Sequence, residues 1–331
     1  MIILIMGPTG SGKSRFIEML AGDESLNISK DQLQSYTHGI NTYVLEGFEA
    51  LPGAADDTTY EGNKLYILDT PGFSDSEISE LEVIEMVNNW MKAHKCTLIH
   101  LILFLSPITD IRLSGSKRKT IEMLKLLTGI DSSQPGLLMV ATTMWDRLWT
   151  ERAQLAAEER FVQLRDEVWA GLPSAKTSMA KFMNTHESAV EIVNSIFLWV
   201  YGHASSIFFI YDIEEMESVK TARFRGPLYQ DLLDRVSNGQ QQKQALEYDL
   251  AQPETQRNKE LKTELGQRLR HTRRLLAKFE TQLIEFGDPP AGFEDSASLR
   301  DYILKNRPAL RIRDWVHRGK QSLNIMSKRK K

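Results

Sequence analysis

One segment near the beginning of the chain limits what this sequence can fold into. Residues 7–14 read GPTGSGKS and fit the pattern GxxxxGK followed by Ser or Thr. An apolar run over residues 1–6 precedes the segment, and an amphipathic stretch over 15–21 follows it. A buried strand, a glycine-rich turn and a helix form the arrangement in which this pattern binds phosphate. The sequence therefore predicts a P-loop NTPase fold and a bound nucleoside phosphate.

The residue types of this loop match the chemistry of phosphate binding. The glycines allow the backbone to turn tightly and to approach the phosphates, because they have no Cβ atom. Backbone N–H groups and the positive end of the following helix then hold the β-phosphate. Lys13 is predicted to neutralise the β- and γ-oxygens, and Ser14 to place its hydroxyl on Mg²⁺. We expect nucleotide contacts from Gly7, Gly10, Ser11, Gly12, Lys13, Ser14 and Arg15.

A second motif indicates that the nucleotide is a triphosphate. The apolar segment 64–68 is predicted to be a strand, and it ends in Asp69-Thr70-Pro71-Gly72. A parallel sheet places such a carboxylate at the edge where Mg²⁺ binds, so Asp69 is predicted to be a metal ligand. Gly72 can offer its N–H to a γ-phosphate and move when the phosphate leaves. An ordinary Asp-x-Pro-Gly turn is the other interpretation.

A third motif bears on the identity of the base. The strand-like run 136–142 is followed by Thr143-Met144-Trp145-Asp146. Guanine-specific proteins have Asn or Thr followed by Lys-x-Asp at this place, because a carboxylate accepts two hydrogen bonds from guanine and adenine lacks that donor pair. Met144 replaces the usual lysine, although its thioether can still cover an aromatic face. Thr143 and Asp146 therefore predict a guanine preference, with a helix-capping role for Asp146 as the alternative.

Together, these segments resemble the immunity-associated, GIMAP-like GTPases. The resemblance rests on GPTGSGKS, on DTPGFSDSE and on residues 108–116 and 142–146, and it covers about residues 1–200. Within this septin- and Toc-related branch, the chain is most similar to G-domain proteins known chiefly from fungi. The resemblance implies a GTP-binding domain of the TRAFAC class, with GTP or GDP and Mg²⁺ as ligands. Such domains often form homodimers through the nucleotide face and hydrolyse GTP slowly on their own.

Two loops of such a site carry weaker signals. Residues 35–38 resemble the family's S-x-T pattern, so Thr37 is predicted to coordinate Mg²⁺, with Thr42 as the alternative. Asn184 is predicted for the last base-contact loop, because it follows a strand-like segment. The Ser-Ala-Lys sequence at 174–176 copies the corresponding loop of small GTPases, but it precedes that segment.

Catalytic groups are sparse in this sequence. Small GTPases orient the attacking water with a Gln shortly after the motif glycine, whereas residues 73–76 read FSDS, so we expect slow intrinsic hydrolysis. Arg112 or Arg118 could stabilise charge across a dimer, or both could be surface or interface arginines.

The predicted function is GTP binding with slow or partner-activated hydrolysis, in which the nucleotide state controls self-assembly or partner binding. A GTP-binding scaffold without meaningful turnover is the alternative. The residues predicted to act on the γ-phosphate are Lys13, Thr37, Gly72 and Arg112.

The succession of strand and helix patterns predicts an α/β domain followed by an α-helical C-terminal region. Strands are expected at 1–6, 43–50, 64–69, 98–105, 137–142 and 178–183. They alternate mostly with helical stretches, which indicates a mostly parallel sheet covered on both faces, with the second and third strands as its antiparallel edge. The predicted bounds are 1–203 for the G domain, 204–226 for a linker, 227–287 for a helical region and 288–331 for a short helix and a basic tail.

The helical region carries a partial heptad pattern, which favours either a short coiled coil or a helix packed on the G domain. The apolar positions are Leu265, Leu269, Leu276, Phe279, Leu283 and Phe286. Pro253 is predicted to begin a helix, and Asp288 with the two prolines that follow it to end one. Asp295 is the expected cap of a last helix over 296–305.

Charge and cysteine content suggest where the protein acts. Residues 305–331 contain ten Lys or Arg and one acid, a net charge of +9, so the other 304 residues carry −12. A basic amphipathic tail suits anionic lipid headgroups or an acidic protein surface, and a simple solvated tail is the other interpretation. Nucleic acid is disfavoured as a partner, because no base-stacking pattern is present. Cys96 is the single cysteine, so a reducing cytoplasmic location, peripheral to a membrane if the tail binds one, is expected.

Overall fold

The computed structural model describes residues 1–22, 39–45, 64–96, 99–111, 115–128, 138–169, 177–202, 225–307 and 309–310. The chain divides into two compact units, Met1–Ala222 (unit 1) and Arg223–Lys331 (unit 2). The finer domain bounds given above stay a prediction, although a helix already begins at Arg225, two residues before the predicted start of the helical region at 227.

Within its described part, unit 1 contains one six-stranded sheet. The strands are β1 (Ile2–Met6), β2 (Asn41–Leu45), β3 (Leu65–Asp69), β4 (Leu101–Pro107), β5 (Leu138–Thr143) and β6 (Thr177–Lys181). Their order across the sheet is β2-β3-β1-β4-β5-β6. All neighbours are parallel except β2 and β3, which are antiparallel. The predicted mostly parallel sheet with an antiparallel edge is therefore confirmed, and the carboxyl ends of its parallel strands meet at one edge.

Helices follow most of these strands in the chain. They are α1 (Lys13–Ala21), α2 (Glu80–Ala93), α3 (Gly115–Leu127), α4 (Glu151–Gln163) and α5 (His186–Gly202). The side chains of Ser79 and Thr150 cap α2 and α4, because each accepts a hydrogen bond from a backbone N–H in the first turn. A π-helical turn, Leu164–Val168, continues α4, so the helical segment runs over 151–168 with one change of winding.

The core of unit 1 lies on the sheet. The side chains of β1 from Ile3 to Met6 are buried, because a central parallel strand is covered on both faces. Phe16 of α1 contacts Phe182, which follows β6, in an edge-to-face arrangement with ring centroids 5.1 Å apart. His100 also fits the interior: its Nδ1 accepts a hydrogen bond from the Ile2 N–H at 3.0 Å. Burial lowers the pKa of His100 to about 4, so the ring is neutral at pH 7.

Unit 2 is helical in its described residues. Its described helices are α6 (Arg225–Ala251), α7 (Pro253–Arg257), α8 (Lys259–Phe286) and α9 (Ala297–Asn306). The heptad-like stripe of α8 packs against α6, a partner that the sequence analysis did not name. A Cβ atom at Gly239 of α6 would lie 3.2 Å from the Leu276 side chain, so the glycine lets the two helices approach closely.

Two details of unit 2 test the predicted helix ends. Pro253 occupies the first turn of α7, as expected for a residue without a backbone N–H. The predicted cap Asp295 is wrong, since Ser296 stands at the N-cap of α9 and Asp295 lies in a 3₁₀ turn before it. None of the helices in the described ranges has an apolar stretch long enough to cross a membrane.

Candidate nucleotide-binding site

The glycine-rich loop joins β1 to α1 in the predicted strand–turn–helix arrangement. Gly10 and Gly12 have φ values of +77° and +90°, in the left-handed region that favours glycine. Gly12 is also the N-cap residue of α1. At Gly7 the requirement is steric, because a Cβ atom would lie 2.4 Å from the carbonyl oxygen of Leu105. The sequence pattern of the loop thus follows from its backbone geometry.

Lys13 lies beneath this loop with its ammonium group enclosed. Its Nζ donates hydrogen bonds to the carbonyl oxygens of Gly7 and Pro8, both at 3.0 Å. Burial lowers the pKa of Lys13 to about 8, and the nearby carboxylates of Asp69 and Asp75 oppose that shift. An anionic phosphate would restore the charged form, so the site is prepared for a negatively charged ligand.

Ser14 and Asp69, the two described residues that are predicted to bind Mg²⁺, come together at the carboxyl edge of the sheet. Asp69 is the last residue of β3, pairs in register with Ile5 of β1 and is 1% exposed. Ser14 Oγ donates to Asp69 Oδ2 at 3.4 Å. A hydroxyl and a carboxylate are hard oxygen ligands of the kind that Mg²⁺ binds together with phosphate oxygens and water. The described ranges contain no group of three or more His, Cys, Asp or Glu arranged for a metal.

The segment after Asp69 pairs with the glycine-rich loop. The Phe73 N–H donates to the Gly7 carbonyl at 3.0 Å, and the Thr9 N–H donates to the Phe73 carbonyl at 3.2 Å. Gly72 lies directly against Thr9, because a Cβ atom at Gly72 would be 2.3 Å from the Thr9 hydroxyl oxygen. The two motifs that the sequence analysis treated separately therefore form one hydrogen-bonded structure.

Asp75 is a site residue that sequence reasoning missed. Its Oδ1 accepts hydrogen bonds from the N–H groups of Glu77 and Ile78, at 2.7 and 3.1 Å, just before α2. Its Oδ2 accepts from the Thr9 hydroxyl at 3.2 Å. Asp75 thus links the glycine-rich loop to the start of α2. The signal available in the sequence was an acid three residues after Gly72.

Thr143 and Met144 connect the end of β5 to neighbouring loops. The Thr143 hydroxyl donates to the Ser11 carbonyl at 2.8 Å in a buried position, so this side chain supports the glycine-rich loop. Met144 has φ +65°, and its sulfur accepts from the Thr109 hydroxyl at 3.5 Å. Ser11 takes part through its carbonyl oxygen, while its own side chain is buried.

Asn184 and Asp146 lie side by side although 38 residues separate them in the sequence. Asn184 follows β6 with φ +61°, and its Nδ2 donates to Asp146 Oδ2 at 3.0 Å. Its Oδ1 accepts from Arg15 Nε of α1 at 2.8 Å. The structure therefore brings the predicted guanine carboxylate, the predicted last loop and the first turn of α1 together. The competing sequence at 174–176 lies outside the described residues and directly precedes β6.

The remaining predicted residues are placed as follows. Thr37 and Arg112 lie outside the described residues, so their predicted roles stay predictions. Thr42, the alternative to Thr37, is on the edge strand β2, where its hydroxyl accepts from Trp90 Nε1 at 2.9 Å. Arg118 lines a cleft of about 510 Å³ between α3 and the helical segment 151–168. No residue of the glycine-rich loop lines that cleft.

A comparison with protein-family models agrees with this geometry. Residues 2–142 match the family described as 50S ribosome-binding GTPase. Together with the strand order and the loop geometry, the match decides the fold. Unit 1 has the G-domain fold of P-loop proteins. The GIMAP-like and fungal assignments are finer than this match and stay predictions.

Comparisons with individual proteins give only distant likenesses. No curated protein sequence matches the chain significantly. A dimerization-deficient mutant of Toc33 from Arabidopsis thaliana is similar over 63% of this chain and 87% of that chain, at 13% identity and a TM-score of 0.45. Toc33 with GDP and Mg²⁺ gives 14% identity, a TM-score of 0.44, and 63% and 88% coverage. The Ski7 GTPase-like domain of S. cerevisiae, bound to GDP and inorganic phosphate, is similar at 14% identity and a TM-score of 0.38. That similarity covers 62% of this chain and 50% of that chain.

The residues of the G domain fit the ligands of this fold, a guanine nucleotide and Mg²⁺. The enclosed ammonium of Lys13 and the N-terminus of α1 suit phosphates. Ser14 and Asp69 would hold Mg²⁺, which when bound screens the charge of the phosphate oxygens. Asp146, exposed and fixed on one oxygen by Asn184, offers an acceptor for the base.

Proposed function

We propose that this chain is a GTP-binding protein that hydrolyses GTP slowly or with a partner, and that its nucleotide state controls self-assembly or partner binding. One observation carries the proposal: a single edge of the sheet brings together the glycine-rich loop, the Ser14–Asp69 pair and the Asp146–Asn184 pair. These three parts correspond to the phosphates, the metal and the base of one nucleotide.

The preference for guanine rests on Asp146. A carboxylate accepts two hydrogen bonds from the N1 and N2 groups of guanine, whereas adenine presents no such pair of donors. A site built to receive those donors would leave the carboxylate unpaired with adenine, which costs binding free energy. The hydrogen bond from Asn184 holds one oxygen of Asp146 and so limits the orientations of the carboxylate.

Slow turnover is supported by the contacts of Asp75. It is the only carboxylate among residues 73–76, where small GTPases have their water-orienting Gln. Both of its oxygens already accept hydrogen bonds, from Thr9 and from the start of α2. Asp75 therefore serves as a structural link rather than a base that orients water. The same observation favours the second candidate function, a GTP-binding scaffold without turnover.

Phosphate release from GTP, measured over a wide range of protein concentrations with ATP as a competitor, tests both candidates. The proposed GTPase shows a rate per molecule that rises with protein concentration, because self-assembly or a partner copy completes the site, and ATP leaves it unchanged. If turnover is undetectable at every protein concentration, the second candidate function, a GTP-binding scaffold, is supported instead. Equal hydrolysis of ATP would contradict the guanine assignment.

For the basic tail, residues 305–331, we propose attachment to anionic membranes. The support is its net charge of +9, since each basic residue near an anionic surface contributes about 1 kcal/mol. Co-sedimentation with phosphatidylserine and phosphatidylcholine vesicles compares the full chain with a protein that ends at Leu304. The full chain is expected to bind only phosphatidylserine vesicles, and less so at high salt. Equal binding of both proteins to both vesicles would leave the tail as a solvated or protein-binding segment.

A further inference from the structure

The side chain of Arg15 joins the first turn of α1 to the base-contact loops. Its Nε donates to Asn184 Oδ1 at 2.8 Å, and Asn184 Nδ2 donates in turn to Asp146 Oδ2 at 3.0 Å. Two hydrogen bonds therefore run from α1 to the carboxylate predicted to read guanine. Position 15 directly follows the motif and was expected to act only as part of the phosphate-binding loop.

The chemistry of the three groups gives this chain of contacts a fixed direction. A guanidinium only donates, an ionised carboxylate only accepts, and an Asn amide has one end of each kind. Arg15 thus holds the carbonyl end of Asn184, and the amino end must face Asp146. Without the guanidinium the amide loses this hydrogen bond and can rotate away from the carboxylate.

Arg15 is itself held in place by a buried acid. Its Nη1 lies 3.5 Å from Glu18 Oε2 one turn along α1, and the Glu18 side chain is only 2% exposed. The backbone of Asn184 has a left-handed φ of +61°, which Asn tolerates better than most residues other than glycine. Arg15 is therefore held from outside the contact, whereas the Asn184 amide is oriented by its hydrogen bonds to Arg15 and Asp146.

We propose that Arg15 is a positioning residue for guanine recognition, which acts by orienting the Asn184 amide so that Asp146 is held for the base. The inference deepens the function proposed above and rests on it. A role of Arg15 at the phosphates would make a different prediction, because it would be independent of the base.

Calorimetric affinities for GDP and inosine diphosphate, both with Mg²⁺, distinguish these roles. Inosine diphosphate lacks the 2-amino group and so makes one hydrogen bond fewer to Asp146. In Arg15→Ala the ratio of GDP affinity to inosine diphosphate affinity is expected to fall about fivefold. This decrease is smaller than the one that the loss of a full charge-assisted hydrogen bond would cause. Equal weakening of both ligands would overturn the inference, because it would indicate a phosphate or folding effect.

Further variants make the outcome specific to the contact. Asn184→Gly removes the amide and suits the positive φ, so it should lower the same ratio, and adding Arg15→Ala to it should change the ratio no further. Arg15→Lys keeps a positive donor and should retain most of the ratio. Arg165→Ala, which removes an exposed arginine on the π-helical turn, is the control and should change nothing.

The design separates failure of the inference from failure of the function. Guanine preference in the wild type with an unchanged ratio in both Arg15→Ala and Asn184→Gly would overturn the role of Arg15 alone. Equal affinity of the wild type for GDP and ADP would overturn both proposals. Circular dichroism shows whether each variant folds. If Arg15→Ala does not fold, the affinity ratios of Asn184→Gly and Arg15→Lys test the inference.

Discussion

On the phosphate side of the site, residues 7–14 and 69–73, the groups that act together belong to two short motifs, whereas on the base side they come from three distant segments. The base side consists of Arg15, Asp146 and Asn184, and 169 residues separate the first from the last. Backbone geometry sets the phosphate side, as the left-handed glycines and the pairing of Phe73 with the loop indicate. Side-chain hydrogen bonds set the base side.

This difference has consequences for mutation. A backbone structure tolerates changes of side chain except at its glycines and at the residues that carry the charge or hold the metal. A chain of side-chain contacts depends on each member, and the loss of one member also releases its neighbours. We therefore expect affinity to depend chiefly on the phosphate side and selectivity among bases chiefly on the base side.

The largest expected effect is on the phosphate side. Lys13→Ala should weaken GTP binding by about 100-fold or more, because charge-assisted hydrogen bonds contribute about 1.5–3 kcal/mol each and the phosphates receive several contacts from this group. Folding should be retained, since burial already lowers the pKa of Lys13 and disfavours its charged form. Calorimetry measures the affinity, with the exposed Lys92→Ala as the control. Unchanged GTP affinity would refute the phosphate site.

Next in size is a change on the base side. Asp146→Asn replaces a carboxylate that only accepts with an amide that also donates, which suits xanthine rather than guanine. GTP affinity should fall about tenfold or more while xanthosine triphosphate binds better. Competition between the two nucleotides measures the shift. Equal loss of both ligands would instead indicate a structural role for Asp146 that is independent of the base.

The pH dependence of binding probes Lys13 without a mutation. Its pKa is about 8 in the unliganded protein, so the lysine is largely neutral above pH 8. Bound phosphate favours the charged form and raises that pKa, which means that binding takes up a proton and weakens as the pH rises. Affinity for GDP should fall about tenfold between pH 7 and 9. Calorimetry at about pH 8.5 in buffers of different ionisation enthalpy should detect the proton uptake that accompanies binding. Lys13→Arg should abolish that uptake. An equal uptake in this variant would show that a group other than Lys13 binds the proton.

The smallest expected effect lies where the two sides meet. Thr143→Val removes the hydroxyl that supports the Ser11 carbonyl and keeps the shape of the side chain. Nucleotide affinity should fall about three- to tenfold, in line with one neutral hydrogen bond of about 0.5–1.5 kcal/mol, and the loss should be equal for GDP and inosine diphosphate. Thr281→Val, which removes a comparable hydrogen bond within α8, is the control. A base-dependent loss would place Thr143 on the base side instead.

The same contrast explains how much could be predicted from the sequence. The sheet, the glycine-rich loop and the meeting of Ser14 with Asp69 follow from local patterns, because strand, turn and helix signals lie within a few residues of each other. The order of strand and loop was enough to favour Asn184 over 174–176. The contact between Arg15 and Asn184 could not be foreseen, since it depends on how α1 and the loop after β6 are placed by the whole sheet.

Failures in the sequence analysis have similar physical causes. Asp75 was overlooked because its role arises from the pairing of two loops, and the sequence shows only an acid three residues after Gly72. The apolar stripe of α8 predicted burial correctly, but a stripe does not identify the surface that covers it, and α6 does so. Asp295 was a plausible cap by residue type, yet the 3₁₀ turn shifted the cap to Ser296.

The central claim is that one edge of the G domain binds a guanine nucleotide. Displacement of a fluorescent GDP analogue from the wild-type protein by unlabelled GTP, ATP and xanthosine triphosphate, with Mg²⁺, tests it most directly. The account predicts that GTP displaces the analogue and that ATP fails to do so even at about 100-fold higher concentration, as expected when the donors of a hydrogen-bonding site are missing. Displacement by ATP at the same concentrations as GTP would contradict it.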